Sequence, residues 1–270
     1  MANRVFSRTG LVIWIGATLG TACVIPYVAA LTPALHEAAT RLRVPITVVA
    51  LLSVAQSAVL LAILTFSGLW AARRLGLGAP VLDAWLHGGA APPGGRRRAF
   101  AAIGWGLASG MAMLALDLLV FLPLSPHGVG QLLRQPQPPA WTGLLASLEG
   151  GVTEEVEMRL FLLSFVALAM RSLGRARHAP ALAPRVFWSA NLLTAVAFGL
   201  GHLPLTARLI PLTPVVVERA VALNCVVGVV AGALYWREGI EMAMLCHFSA
   251  DLVLHVVAPL LQPWILQLAA

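Results

Sequence analysis

Seven stretches of this chain are each about as long and as apolar as a helix that crosses a lipid bilayer, roughly 20 residues apiece. They run Leu11–Leu31, Ile46–Ala72, Ala99–Leu124, Leu144–Met170, Val186–Leu203, Val215–Trp236 and Ile240–Leu261. Hydrocarbon offers no partner to backbone N–H and C=O groups, so such runs must fold as helices. The expected fold is all-α: a polytopic transmembrane helix bundle of about seven to eight spans with a polar catalytic cavity between helices. Residues 1–270 are read as a single integral membrane domain surrounded by membrane lipid, with the chemistry carried by 144–261. An eighth, short or re-entrant helix is expected within 32–43 or 203–212. Pro26 should kink the first span. The first run also has features of a signal peptide, with Arg4 and Arg8 before it and Val28-Ala29-Ala30 as a tolerable cleavage site, but it is long for that role.

Charge is scarce and unevenly placed. Hydrophobic residues make up 59% of the chain and charged residues 11%, outside the balance of a soluble domain. The net charge of +7 comes entirely from arginine, because the sequence holds no lysine. The arginines sit in the gaps between apolar runs, which is a topology signal and not a nucleic-acid face. One side of the membrane receives Arg4, Arg8, Arg73, Arg74, Arg96, Arg97, Arg98, Arg171, Arg175, Arg177, Arg185 and Arg237; the other receives Arg41, Arg43, Arg134 and Arg208. That bias predicts a cytoplasmic N-terminus. Cys23, Cys225 and Cys246 all lie in apolar runs with no Cys-x-x-Cys pair, so neither a disulfide framework nor a thiolate metal site is indicated.

The fourth run breaks the apolar rule. It contains Glu154-Glu155-Val156-Glu157-Met158-Arg159, and ionisable groups in hydrocarbon are expensive enough to mark a functional site. Glu155 and Arg159, spaced i, i+4, share a helix face and can pair. Glu154 is then left without a partner in its own helix, as a general base requires. Glu149 is expected at the membrane surface. On the fifth run Phe198 and His202 share a face. On the seventh, His247, Asp251 and His255 form a polar stripe at i, i+4, i+8 that should line a cavity. On the sixth, Asn224 needs a hydrogen-bond partner, and Glu218-Arg219 reads as a helix-end pair.

Two chemistries fit these groups. Glu154, His202 and His247 would hold a divalent metal such as zinc that activates water. Alternatively Glu and His activate water directly, and the second His with Asp supplies donors to an oxyanion, with no cofactor required. The usual His-Glu-x-x-His zinc helix is absent. A glutamate already paired with arginine is a poor metal ligand, which favours the metal-free route.

At these residues the chain resembles the CAAX protease and bacteriocin-processing family of intramembrane proteases (CPBP, or Abi). The family pattern is Glu-Glu-x-x-x-Arg, then Phe-x-x-x-His, then His-x-x-x-Asn or Asp, on three helices. It is met in order by Glu154-Glu155 to Arg159, Phe198 to His202, and His247 to Asp251. The loop from Gly76 to Pro80, and the stretch from Asn224 through Gly228 and Gly232 into 234–244, are similar as well. The resemblance implies an intramembrane endopeptidase acting on a membrane-anchored or hydrophobic peptide. Glu154 would be the general base, with His202 sharing its water. Glu155 would neutralise Arg159, and His247 with Asp251 would stabilise the oxyanion. Asp251 stands where prenyl-protein members carry Asn, which places the chain nearer the bacterial branch and a bacterial cytoplasmic membrane. His255 lies outside the pattern and is expected only to line the cavity.

Two rivals arise from the same residues. A proton-coupled transporter predicts polar sites in two related halves, whereas the polar sites here fall after residue 149. A non-catalytic scaffold or immunity-type partner-binding protein would need no intact motif set.

Overall fold

The apolar runs are helices in the computed structural model, which describes residues 2–173 and 182–268. Each of the seven expected ranges holds a long helix: α1 (Ala2–Leu31), α3 (Ile46–Arg74), α5 (Gly95–Leu124), α7 (140–173), α8 (Pro184–Gly201), α10 (Pro214–Glu238) and α11 (240–268). Short helices fill the connections: α2 (Ala34–Leu42), α4 (Pro80–His87), α6 (Val129–Arg134) and α9 (Leu203–Leu209). α2 and α9 occupy the two places expected for an eighth, short or re-entrant helix. With 9 and 7 residues they reach only about 10–14 Å at the α-helical rise, too little for a hydrocarbon core of about 30 Å. Among the described residues, six helices are long and apolar enough to cross a membrane. The seventh long helix, α7, carries the charges. α1 remains helical through Pro26 and packs along α3 and α7, as a span does. Arg175 and Arg177, expected in an arginine-rich loop, lie outside the described residues.

α7 sits among α1, α3, α8, α10 and α11. The reason is electrostatic: its carboxylates and guanidinium cannot face lipid, so apolar helices take the outside. Leu19, Leu51, Leu52, Ile63 and Leu119 are exposed on those outer faces. Trp70 and Trp85 lie exposed toward one end of the bundle and Trp141 and Trp264 toward the other, as in interfacial aromatic belts.

The inner helices cross closely because small residues stand at the contacts. A Cβ on Gly106 of α5 would lie 2.1 Å from the Cys246 carbonyl oxygen of α11, and one on Gly110 would lie 2.7 Å from that of Ala250. At the α10–α11 turn, Gly239 has φ +99°, and a Cβ there would meet the Pro80 ring. The expected loop at Gly76–Pro80 docks on this turn, where the Ile240 N–H donates to the Gly78 carbonyl at 3.0 Å. The Leu82 N–H donates to Glu241 Oε1 at 2.8 Å.

Gly106→Ala should cost about 1–3 kcal/mol, because it overpacks backbone against backbone. The check is thermal unfolding in detergent; an unchanged Tm would mean that α5 and α11 do not cross there.

Candidate active site

α7 is not a regular helix. Residues Glu149–Glu154 and Val156–Leu163 form π turns, as do Asp117–Phe121 in α5 and Leu252–Val257 in α11. A π turn adds a residue to the helical repeat and rotates the residues beyond it, and such turns gather at functional sites. Each of these four holds or adjoins an ionisable residue buried between the helices.

The innermost such group is Glu155, fully buried. Its Oε1 lies 2.8 Å from Arg159 NH1 and 2.7 Å from His247 Nδ1. Arg159 also donates through NH2 to the Gly228 carbonyl at 3.1 Å, and its guanidinium stands 5.1 Å over the Phe198 ring, a cation–π contact. Phe198 in turn sits edge-on to His202 and His247, with centroids 4.8 and 5.5 Å apart. One apolar ring therefore spaces both histidines and covers the ion pair.

Glu154 points the other way, half-buried. Its Oε1 is 3.8 Å from His202 Nε2 and its Oε2 is 3.6 Å from His247 Nε2. Both separations exceed a direct hydrogen bond and suit one bridging water. The partners decide the tautomers. His202 Nδ1 lies 2.9 Å from the Phe198 carbonyl, which can only accept, so Nδ1 carries the hydrogen and a neutral imidazole leaves Nε2 bare. A bare Nε2 and a carboxylate oxygen are both acceptors, and a water between them would donate one hydrogen to each. His247 Nδ1 likewise donates to Glu155. Its Nε2 faces Glu154 and Asp251, whose Oδ1 is 3.7 Å away.

Asp251 fits against α7 because residue 150 is glycine: a Cβ there would lie 2.0 Å from Asp251 Oδ2. His255 Nε2 is 4.0 Å from Asp251 Oδ1, and its Nδ1 is 3.1 Å from the Tyr27 hydroxyl of α1. Asn224 finds its partner in its own helix, donating to the Ala220 carbonyl at 2.8 Å.

These groups border one cavity of about 520 Å³. Glu149, Glu154, His202, His247, Asp251 and His255 form its polar end. Leu31, Gln135, Gln137, Thr206, Leu209 and Gln262 line it toward the face where α1 and α8 end. That face is opposite the arginine-rich connections at 74–95 and beyond Arg237.

Glu149, expected at the membrane surface, lines the cavity, and a π turn begins at it. Arg219 is not half of a helix-end pair with Glu218. It binds Asp117 of α5 bidentately, Nε to Oδ1 and NH2 to Oδ2, each 2.6 Å. The signal was available, since Asp117 and Arg219 both interrupt apolar runs and opposite charges in hydrocarbon seek each other. Tyr27 gave no such signal. Among the described residues, no group of three or more His, Cys, Asp or Glu side chains is placed to hold a metal ion.

Residues 136–253 match the family described as type II CAAX prenyl endopeptidase Rce1-like. Over these residues, less than half of the chain, the protein is similar to that family. The CAAX-protease resemblance is thereby shown at the family level, and the family is one of membrane proteases. The Rce1-like stretch contains all three motifs, Glu154 to Asp251, and stops before His255. Tyr27 and Asp117 also lie outside it. No curated protein and no solved structure matches the chain.

Arg159→Ala should mainly harm stability. It strips Glu155 of its cation and leaves a buried charge, a loss of roughly 3–5 kcal/mol in comparable pairs. Thermal unfolding of the purified variant tests this. A Tm equal to wild type would mean that Glu155 is satisfied without the guanidinium.

Proposed function

We propose that the Rce1-like stretch carries a metal-free endopeptidase activity. On this reading it hydrolyses a peptide bond of a hydrophobic or membrane-anchored substrate, using a water held between Glu154 and His202. The observation that carries the reading is the 3.8 Å gap between two acceptors, Glu154 Oε1 and His202 Nε2. A water there has both hydrogens engaged and its lone pairs aimed into the cavity. As it attacks the scissile carbonyl, Glu154 takes its proton, and His202 keeps the oxygen oriented. The carbonyl oxygen becomes an oxyanion and accepts from Nε2–H of His247, which in this step is an imidazolium with hydrogen on both nitrogens, held by Glu155 through Nδ1. Collapse of the tetrahedral adduct breaks the C–N bond, and the proton on Glu154 goes to the leaving amine.

The metal-free choice rests on the division of labour between the two glutamates. Glu155 is engaged by Arg159 and His247 together, so Glu154 is left as the one motif carboxylate for water. Glu154→Gln keeps the shape and removes the base. Hydrolysis should fall about 10²–10⁴-fold with an unchanged unfolding temperature, while wild-type activity persists after dialysis against EDTA. Turnover that survives Glu154→Gln would sink the assignment; activity lost to EDTA and restored by zinc would replace the metal-free route.

The cavity opens on the arginine-poor face, which by the positive-inside rule is the extracytoplasmic one. Thr206 lines that opening. Thr206→Cys should react with a membrane-impermeant thiol reagent in intact cells, above the level of the parent chain. Labelling that appears only after lysis would reverse the orientation.

A further inference from the structure

We propose that Tyr27 and His255 form a positioning pair that holds the Asp251 carboxylate against His247, so that the first long helix is part of the active site. The inference rests on the proteolytic reading for its consequence and on geometry for its substance.

Asp251 Oδ1 stands between two imidazoles, 3.7 Å from His247 Nε2 and 4.0 Å from His255 Nε2. His255 is held from behind. The Tyr27 hydroxyl is 3.1 Å from Nδ1, and the two rings meet edge to face with centroids 5.2 Å apart. A hydroxyl that donates to Nδ1 fixes the tautomer with hydrogen on Nε2, the nitrogen that faces Asp251. A histidine oriented by its other nitrogen is a familiar way to aim a donor. The 4.0 Å distance is longer than a hydrogen bond, and contacts of this kind tighten when substrate fills the site.

The backbone supports the same assignment. The π turn Leu252–Val257 begins immediately after Asp251 and contains His255. At Gly143 of α7 a Cβ would lie 2.0 Å from the His255 carbonyl oxygen, so this turn is seated directly on α7. Asp251 Oδ2 lies against Gly150, and Oδ1 is the oxygen that both imidazoles approach. The pair therefore acts on the one oxygen that also addresses His247. Tyr27 and His255 both lie outside the Rce1-like stretch, so they would be an addition that this chain makes to the shared motif set.

The test is Tyr27→Phe, which removes one oxygen and keeps the ring. Turnover of an internally quenched library of hydrophobic peptides in detergent should fall about 3- to 10-fold in kcat, the worth of one neutral hydrogen bond, with KM and Tm unchanged. In an Asp251→Asn background the same substitution should change the remaining rate less than about twofold, because the hydroxyl acts through Asp251. The second readout needs no substrate: the side-chain ¹⁵N shifts of His255 should report one tautomer in wild type and a mixture in Tyr27→Phe. A wild-type kcat in Tyr27→Phe, an equal loss in both backgrounds, or unchanged ¹⁵N shifts would each overturn the proposal. Glu154→Gln is run alongside. Activity surviving there overturns Glu154 as the base, and the ¹⁵N shifts then judge the pair alone. Activity lost there beside an unaffected Tyr27→Phe overturns only the pair.

Discussion

The arrangement turns on a single buried oxygen, Glu155 Oε1. It is ion-paired with Arg159 of its own helix and accepts from His247 of α11, so one carboxylate joins two of the helices that carry the motifs. In an environment that cannot solvate charge, each partner is costly alone and tolerable together. The guanidinium then reaches α10 at the Gly228 carbonyl and α8 at the Phe198 ring. Four helices are thus tied to one charge centre, and Glu154 and His202 sit on its rim, with the Phe198 ring between His202 and His247.

This centre explains why the bundle is built inside out relative to a soluble protein. The polar helix is central, and the six long apolar ones present leucine and isoleucine outward. Close approach comes from glycine. Gly106 and Gly110 let α5 touch the backbone of α11, Gly143 lets α7 do the same from another side, and Gly150 makes room for the Asp251 carboxylate. Without these absences of side chain, Asp251 and His255 would be held away from α7. A second ion pair, Asp117–Arg219, joins α5 to α10 beside the same cavity. Both of these charge sets link helices distant in sequence.

The sequence by itself determined the fold class and the membership of the charged cluster. Length and apolarity leave the backbone no option but helix in lipid, so the seven ranges were legible to within a few residues at most ends. The i, i+4 spacing of Glu155 and Arg159 forced a shared face, and the three motifs supplied His202, His247 and Asp251. Only the tertiary structure decided which charge meets which. Helical periodicity relates residues within one helix and is silent about partners on another, so Arg219 turned to Asp117 instead of Glu218, and Tyr27 came to His255. The π turns were equally invisible, because an extra residue in a turn leaves no mark in composition or spacing. One of them begins at Glu149, which lines the cavity.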